Sequence, residues 1–313
     1  MQSWQADIVN TTLSLSLKPA LARARSIRSV RRGFELGDKL LGRLATPRHA
    51  RWKPVSAPGA PCEMEWLNFT DRDSRAPHRV VLYLPGGAFV LRTPQMHRSL
   101  AARLSEATDS RALLCFYRLA PEHPFPACLE DAVAAYRLLL SEGVQPEDIV
   151  VAGDSAGGGL TLSLLLMLRE LELPQPAGAI LISPLLDMAE QAPSRSKNAR
   201  RDAALPPATR RGIDTRGMYA AGEDYQNPLL SPIHGDLQAL PPCYVLVSDS
   251  EMLLDDSLRL ARRAHEFRMT VKLDIWHKLP HVWLAFPWLP ETTAALRRIG
   301  QFVQDLHECE PQQ

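Results

Sequence analysis

The sequence has few cysteines and almost no net charge, and each scarcity limits what the protein can be. The five cysteines lie far apart and form no Cys-x-x-Cys pair, which predicts buried free thiols in a reducing compartment and suggests no zinc site. The formal net charge of +1 at pH 7 gives no reason to expect a nucleic-acid partner. The cysteines are Cys62, Cys115, Cys128, Cys243 and Cys309.

Targeting patterns and long apolar runs are also missing. Residues 1–17 lack a positively charged start followed by a sufficient apolar run, and the apolar stretches elsewhere are too short or too interrupted to span a bilayer. We therefore expect a cytoplasmic protein without a signal peptide. With 313 residues, 45% of them hydrophobic, the chain can bury a sizeable core as two domains or as one α/β domain with an insertion.

From residue 62 onward, apolar segments alternate with longer segments of helical period. The segments with strand character are 62–69, 79–84, 111–117, 149–152, 179–182, 244–247 and 271–276. The segments with helical character are 95–108, 128–141, 156–171, 255–267 and 292–306. Strands that alternate with helices predict parallel pairing, with helices on both faces of the sheet, and hence an α/β fold.

Two regions interrupt this alternation. Residues 18–44 are rich in arginine and carry apolar residues near helical spacing, which predicts one or two amphipathic helices. Such helices can cover a neighbouring domain or lie on a membrane surface, and we favour the covering role. Residues 184–241 contain many prolines and no long apolar period, which is typical of an inserted cap. The predicted divisions are N-terminal cap helices (1–50), an α/β core (51–183 and 225–313) and a cap insertion (184–224).

The most informative segment is 149–159, where an apolar run ends in Gly-Asp-Ser-Ala-Gly-Gly and a leucine-rich segment follows. This order predicts a strand, a sharp turn and a helix, with Ser155 at the apex of the turn. Gly153 and Gly157 have no Cβ, so the strand and the helix can approach closely there. The N–H of Ala156, at the helix start, is expected to point at the space above the serine. Such geometry suits a nucleophile whose intermediate is an oxyanion; the simpler alternative is a glycine-rich turn with an uninvolved serine.

A serine hydroxyl needs a base to accept its proton and a carboxylate to orient that base. The expected chain order is serine, acid, histidine, with each partner after a later strand. The segment after the next-to-last strand carries several acids, of which Asp255 and Asp256 are expected to cap the start of the following helix. The segment after the last strand carries His277 and His281. Their spacing of four binds a metal on a helix, whereas a strand end and a loop are expected here.

Three further motifs accompany the serine turn. Residues 117–127 are Tyr-Arg-Leu-Ala-Pro-Glu-His-Pro-Phe-Pro-Ala, residues 227–232 are Asn-Pro-Leu-Leu-Ser-Pro, and residues 240–242 are Leu-Pro-Pro. Together with the serine turn at 153–158, they resemble the hormone-sensitive-lipase family (bacterial esterase family IV) of the α/β-hydrolases. The similarity covers roughly residues 75–300. It implies the α/β-hydrolase fold, a mostly parallel central sheet flanked by helices, with a helical cap.

The resemblance also implies a catalytic triad. Ser155 matches the family nucleophile and His281 the family base. The family acid lies in an Asp-Pro-Leu-x-Asp motif, which places it on Glu251, with Met252 in place of the proline. A glutamate presents the same carboxylate on a side chain that is one methylene longer. Asp249, two residues nearer the strand end, is the alternative acid.

The rest of the oxyanion hole is implied by position. Where the family has His-Gly-Gly-Gly and an aromatic residue, this chain has Pro-Gly-Gly-Ala-Phe, so the N–H groups of Gly87 and Ala88 would join that of Ala156. Pro85 replaces a histidine whose side chain helps to hold this loop by hydrogen bonding. The fixed φ of proline is another way to make the turn rigid. Asp154, beside the nucleophile, is expected not to contact the substrate.

The function implied by the resemblance is hydrolysis of short-chain acyl or small aromatic esters, or of lactones, through a covalent acyl-enzyme. No metal or cofactor is expected, and the expected partner is a small-molecule ester, without nucleic acid or membrane contact. The last strand is expected at a sheet edge, where it could pair two subunits in a homodimer. The alternative is a catalytically weak or inactive small-molecule binding protein on the same fold. Pro85 favours that alternative, and the presence of serine, acid and histidine disfavours it.

Overall fold

The computed structural model describes residues 2–42, 47, 49–57, 61–69, 79–189, 192–207 and 212–308. The strands in these ranges are β1 (Ala50–Val55), β2 (Glu63–Phe69), β3 (Val80–Leu84), β4 (Arg111–Phe116), β5 (Ile149–Asp154), β6 (Gly178–Ile182), β7 (Cys243–Ser248) and β8 (Val271–Trp276). They form one sheet in the order β1-β2-β4-β3-β5-β6-β7-β8. Strands β3 to β8 pair in parallel, whereas β1 and β2 are antiparallel at one edge. The predicted α/β fold with a mostly parallel sheet is confirmed.

Helices pack on both faces of this sheet. They are α1 (Trp4–Leu15), α2 (Leu17–Arg23), α3 (Ile27–Gly37), α4 (Pro94–Ala107), α5 (Ala127–Ser141), α6 (Ala156–Glu170), α7 (Ser194–Lys197), α8 (Thr215–Ala220), α9 (Leu254–Glu266) and α10 (Pro290–Glu308). Alternate residues of β3 point to opposite faces. Leu82 packs in a core with α5 and α6, and Tyr83 packs in a second core with α4 and α10. Each of the strands and helices predicted from residue 62 onward agrees with an observed element to within two residues at either end.

The N-terminal helices are tied to the core by polar contacts. Arg31, on α3, donates to the carbonyl oxygens of Val90 (2.8 Å) and Ala120 (2.6 Å). A π-helical turn follows α3, and its Asp38 accepts two N–H groups at the start of α4, at 2.8 and 2.9 Å. The helices predicted within residues 18–44 are observed as α2 and α3, while residues 43–46 lie outside the described ranges. No helix within the described ranges is both long and apolar enough to cross a bilayer.

The cap insertion predicted at 184–224 carries the short helices α7 and α8 instead of a core layer. Two acidic residues in the first turn of α9 form contacts with this insertion. Asp255 accepts the N–H of Ser194 (2.7 Å), and Asp256 pairs with Arg195 (2.9 Å). Both acids lie at the helix start as predicted, but α9 has no side-chain cap at its N-cap residue, and their carboxylates bind the insertion instead. The division of the chain into cap and core stays a prediction.

Strand β8 lies at the edge of the sheet, as predicted. The side chain of Ile275 on this strand is 47% exposed, although it is large and apolar. An edge strand offers unpaired backbone groups to another chain. Pairing of two subunits through β8 stays a prediction.

Four cysteines are buried and free, as the sequence predicts. They are Cys62, Cys115, Cys128 and Cys243. Burial raises the pKa of the Cys243 thiol to about 12, which keeps that thiol protonated and unreactive. Cys309 lies outside the described ranges.

Candidate active site

Ser155 lies at the turn between β5 and α6 in a rarely adopted backbone conformation. Its φ and ψ are 53° and −119°. A backbone conformation of this kind stores about 1–3 kcal/mol of strain. A Cβ on Gly153 would lie 2.3 Å from the carbonyl oxygen of Gly157, and a Cβ on Gly157 would lie 2.0 Å from the carbonyl oxygen of Leu84. Only glycine permits this approach of strand and helix. The predicted strand, turn and helix are confirmed, with the serine at the carboxyl edge of the sheet.

Three of the predicted residues meet beside this turn. Nε2 of His281 lies 2.9 Å from Oγ of Ser155, and Nδ1 lies 2.6 Å from Oε2 of Glu251. The carboxylate of Glu251 is fully buried, and its other oxygen accepts the N–H of Ser248 (2.7 Å) and the hydroxyl of Ser183 (2.9 Å). Because β7 and β8 are parallel neighbours, the loops after them bring the acid and the histidine to the same edge. This is the order of contacts in which a carboxylate orients an imidazole and the imidazole accepts a hydroxyl proton.

The pKa of His281 is raised by its partner. Burial would lower the pKa of the imidazole, but the hydrogen bond and the charge of Glu251 outweigh burial and raise the pKa above its ordinary value. The imidazole therefore accepts a proton more readily than a free histidine does. If His281 acts as a base, it must be neutral, and it is then active only at pH values above this raised pKa.

The alternative acid, Asp249, contacts a different histidine, His277. One oxygen of Asp249 is 2.6 Å from Nδ1 of His277, and the other accepts the N–H of Lys278 at 2.9 Å. The structure thus brings Glu251, and not Asp249, to His281. His277 is 59% exposed and is not joined with His281 in a metal cluster; among the described residues, no three His, Cys, Asp or Glu side chains are grouped to hold a metal.

The loop after β3 has an unusual backbone conformation and presents several N–H groups. Gly87, Ala88 and Phe89 have φ values of 124°, 52° and 61°, so three successive residues adopt left-handed conformations. Among the described residues, the N–H groups of Gly87, Ala88 and Ala156 donate to no backbone or side-chain atom. The first N–H of a helix has no partner within the helix, and such groups bind anions. These three predicted donors are therefore free to hold an oxyanion.

Asp154 holds the start of this loop. Its carboxylate accepts the N–H of Gly86 at 2.9 Å and the hydroxyl of Tyr83 at 2.5 Å, and lies 3.5 Å from Nε2 of His97. Burial would raise the pKa of Asp154, but the charge of His97 and these hydrogen bonds outweigh burial and lower it. The carboxylate is thus committed to the loop, which agrees with the expectation that it does not contact the substrate.

Sequence reasoning missed three residues that hold the acid. Ser183, directly after β6, donates to the carboxylate of Glu251. Asn198 donates to the carbonyl oxygen of Glu251 at 2.8 Å, and Asp202 accepts the N–H of the next residue at 2.9 Å. The position of Ser183 at the carboxyl end of a central strand is a usable signal. Asn198 and Asp202 lie in the insertion, where no motif marks them.

The fold and this arrangement of side chains define an α/β-hydrolase with a serine, a histidine and a glutamate in contact. A sequence model of the family described as "alpha/beta hydrolase fold" matches residues 81–285. The chain is 41% identical over 244 residues to an acetyl-hydrolase of Streptomyces hygroscopicus, an alignment that spans 78% of this chain and 80% of the relative.

Solved structures of related proteins have the same fold. An esterase from the bacterial hormone-sensitive lipase family superposes with a TM-score of 0.88 at 34% identity, covering 98% of this chain and 99% of the other. The esterase EstE5, in a crystal soaked with p-nitrophenyl butyrate, also gives a TM-score of 0.88, at 35% identity, with 97% and 99% of the chains covered. The chain belongs to the hormone-sensitive-lipase family of α/β-hydrolase esterases.

The close approach at the Ser155 turn predicts a cost for one added methyl group. In Gly157→Ala, the new Cβ meets the carbonyl oxygens of Leu84 and Pro85 at 2.0 and 2.6 Å, so the backbone must shift. We expect the free energy of unfolding to fall by about 1–3 kcal/mol, the usual cost of overpacking. Denaturant titration measures this loss.

Gly33→Ala is the matched control. Gly33 lies within α3, and a Cβ there meets no atom within 4 Å. Alanine in an exposed helix interior is more favourable than glycine by about 0.5–1 kcal/mol, so this variant should be as stable as the parent or more stable. Equal stability of the two variants would contradict the close approach at Gly157.

The contact between Glu251 and His281 predicts a shift in the pH dependence of hydrolysis. As pH falls through the pKa of His281, the base is protonated and kcat/KM falls. Because Glu251 raises that pKa, Glu251→Gln should move the acidic limb of the pH profile to lower pH. We expect the plateau of kcat to fall about 10³- to 10⁴-fold, since an amide favours the wrong imidazole tautomer.

Asp249→Asn is the control for this shift. Asp249 contacts His277 and the backbone of Lys278, so its loss should leave the acidic limb where it is. A profile that moves in Asp249→Asn and stays in place in Glu251→Gln would assign the role to the alternative acid. Profiles of kcat/KM for a chromogenic ester measure both variants.

Proposed function

We propose that this carboxylesterase hydrolyses short-chain acyl or small aromatic esters, or lactones, through a covalent acyl-enzyme on Ser155. The observation that carries the proposal is the position of His281 between the other two side chains: its Nε2 lies 2.9 Å from Oγ of Ser155, and its Nδ1 lies 2.6 Å from Oε2 of Glu251. The N–H groups of Gly87, Ala88 and Ala156, which have no acceptor among the described residues, are the donors that an oxyanion needs. The relative named acetyl-hydrolase, and the soaking of EstE5 with p-nitrophenyl butyrate, support a short acyl group.

In the acylation step, Oγ of Ser155 attacks the acyl carbon while Nε2 of His281 takes its proton. Glu251 accepts a hydrogen bond from Nδ1 and stabilises the imidazolium that forms. The carbonyl oxygen becomes an oxyanion held by the N–H groups of Gly87, Ala88 and Ala156. The tetrahedral intermediate collapses when His281 returns its proton to the leaving alcohol, and the acyl group remains on the serine.

In the deacylation step, water repeats the same path. His281 takes a proton from the water as it attacks the acyl carbon, and the oxyanion forms in the same hole. Collapse releases the carboxylic acid and returns the proton to Ser155. All proton transfers use residues of this chain.

The free N–H groups are expected to supply a large share of the rate. Removing one oxyanion donor in a serine hydrolase typically costs about 10²–10³ in kcat, or about 3–4 kcal/mol. Because the donors are backbone groups of Gly87, Ala88 and Ala156, side-chain substitution at Ala88 keeps its N–H. The presence of alanine in place of the last family glycine is therefore compatible with catalysis.

The decisive variant for the proposal is Ser155→Ala. It removes the nucleophile and leaves the fold, so hydrolysis of p-nitrophenyl butyrate should fall to the background rate. The parent protein should also react with a fluorophosphonate probe, whereas Ser155→Ala should not, because only an activated serine attacks phosphorus.

The same pair of proteins separates the esterase from a small-molecule binding protein on this fold. A parent protein that binds an ester but neither hydrolyses it nor reacts with the probe would establish the binding protein. Activity that persists in pure Ser155→Ala would refute the assignment of the nucleophile.

A further prediction concerns chain length. A panel of p-nitrophenyl esters from acetate to palmitate should give the highest kcat/KM for short acyl groups. A maximum at long chains would contradict the proposed substrate class.

A further inference from the structure

The loop that carries Gly87 and Ala88 begins at Pro85, where the family resemblance leads us to expect a histidine that helps to hold the loop. Proline has no side-chain donor or acceptor, so the loop needs another anchor. Three successive positive φ values follow it, and strained backbone persists only where the surroundings fix it.

The Pro85–Gly86 peptide, the first in this loop, is bonded at both ends. Its carbonyl oxygen accepts the hydroxyl of Tyr117 at 2.5 Å, and its N–H donates to Oδ1 of Asp154 at 2.9 Å. Tyr117 directly follows β4 and Asp154 ends β5, and these are the two strands that flank β3. The Pro85–Gly86 peptide is therefore clamped between Tyr117 and Asp154, which come from the two strands that neighbour β3.

Packing restricts rotation of this peptide as well. A Cβ on Gly86 would lie 2.2 Å from Oδ2 of Asp154, and a Cβ on Gly157 would lie 2.6 Å from the carbonyl oxygen of Pro85. The side chain of Tyr117 is 2% exposed, and burial raises the pKa of its phenol well above the ordinary value. The hydroxyl thus stays protonated and remains a donor at neutral pH.

We propose that Tyr117 is a positioning residue for the oxyanion hole: it holds the Pro85 carbonyl and thereby fixes the direction of the Gly87 and Ala88 N–H groups. This inference rests on the proposed function, since it concerns the same site. Tyr117 acts through the backbone and does not contact the substrate. Without its hydroxyl, one end of the peptide is released and Asp154 alone holds the other.

Tyr117→Phe tests this role because it removes only the hydroxyl. We expect kcat for p-nitrophenyl butyrate to fall about 10-fold, since misplacing catalytic groups by a fraction of an ångström to 1 Å costs up to about 10²-fold. KM should change less than about twofold, because the N–H groups bind the oxyanion more strongly than the ground-state carbonyl. The Ki of a trifluoromethyl ketone, which forms a tetrahedral adduct with the serine, should rise in parallel with the loss of kcat/KM.

Tyr136→Phe is the matched control. Tyr136, on α5, is also buried, and its hydroxyl also donates to a proline carbonyl, that of Pro174, at 3.0 Å. Pro174 lies before β6, at the amino edge of the sheet, whereas the serine turn lies at the carboxyl edge. We expect the two variants to lose similar thermal stability, and Tyr136→Phe to keep the kcat and Ki of the parent protein.

The possible results separate this inference from the proposed function. Equal kcat and Ki in the two variants, or a change in KM alone, would mean that Tyr117 only stabilises the fold, and the inference would be wrong while the esterase mechanism stood. A parent protein that neither hydrolyses the ester nor binds the ketone would overturn the proposed function itself. A loss of kcat and of ketone affinity confined to Tyr117→Phe would support the positioning role.

Discussion

The structure of the site depends on one close approach, where the start of α6 passes over the ends of β3 and β5. A Cβ on Gly157 would lie only 2.0 Å from the carbonyl oxygen of Leu84, so this contact exists because the position is glycine. Ser155 adopts its strained conformation at this approach, and among the described residues the N–H of Ala156 has no partner. It also places the helix start against the loop that follows β3. The conformation of Ser155 and the position of the Ala156 N–H therefore both depend on this backbone contact.

Around this turn, the parallel sheet gathers groups that lie far apart in the chain. The loops after β7 and β8 meet because these strands are parallel neighbours, and they bring Glu251 and His281 together. Asn198 and Asp202, both in the insertion, form hydrogen bonds to the backbone of the loop that carries Glu251. Burial of the carboxylate makes its hydrogen bond to the imidazole strong, since little water competes for it. The charge environment of His281 thus depends on three segments: the loop after β7, the loop after β8 and the insertion.

Much of this could be predicted from the sequence, for identifiable physical reasons. The alternation of apolar strands and helices predicts the sheet, because each buried strand needs apolar residues on both faces. Glycines around Ser155 predict the turn, since few other residues permit it. Spacing alone did not separate Glu251 from Asp249, because both follow β7 within three residues and each has a histidine within reach; the resemblance to the family motif favoured Glu251, and the contact with His281 agrees with it. The roles of Asp255 and Asp256 were missed because their partners, Ser194 and Arg195, lie about 60 residues away in a segment without regular periodicity.

The most direct measurement of the central idea, a nucleophilic serine that works with one histidine and one glutamate, is to trap the covalent intermediate. Mixing the protein with p-nitrophenyl butyrate, quenching in acid within the first turnover, and mapping peptides by mass spectrometry should locate one butyryl group on Ser155. The adduct should form far more slowly when His281 is replaced by alanine. A butyryl group found on another residue, or turnover with no acylated serine at any quench time, would contradict the mechanism.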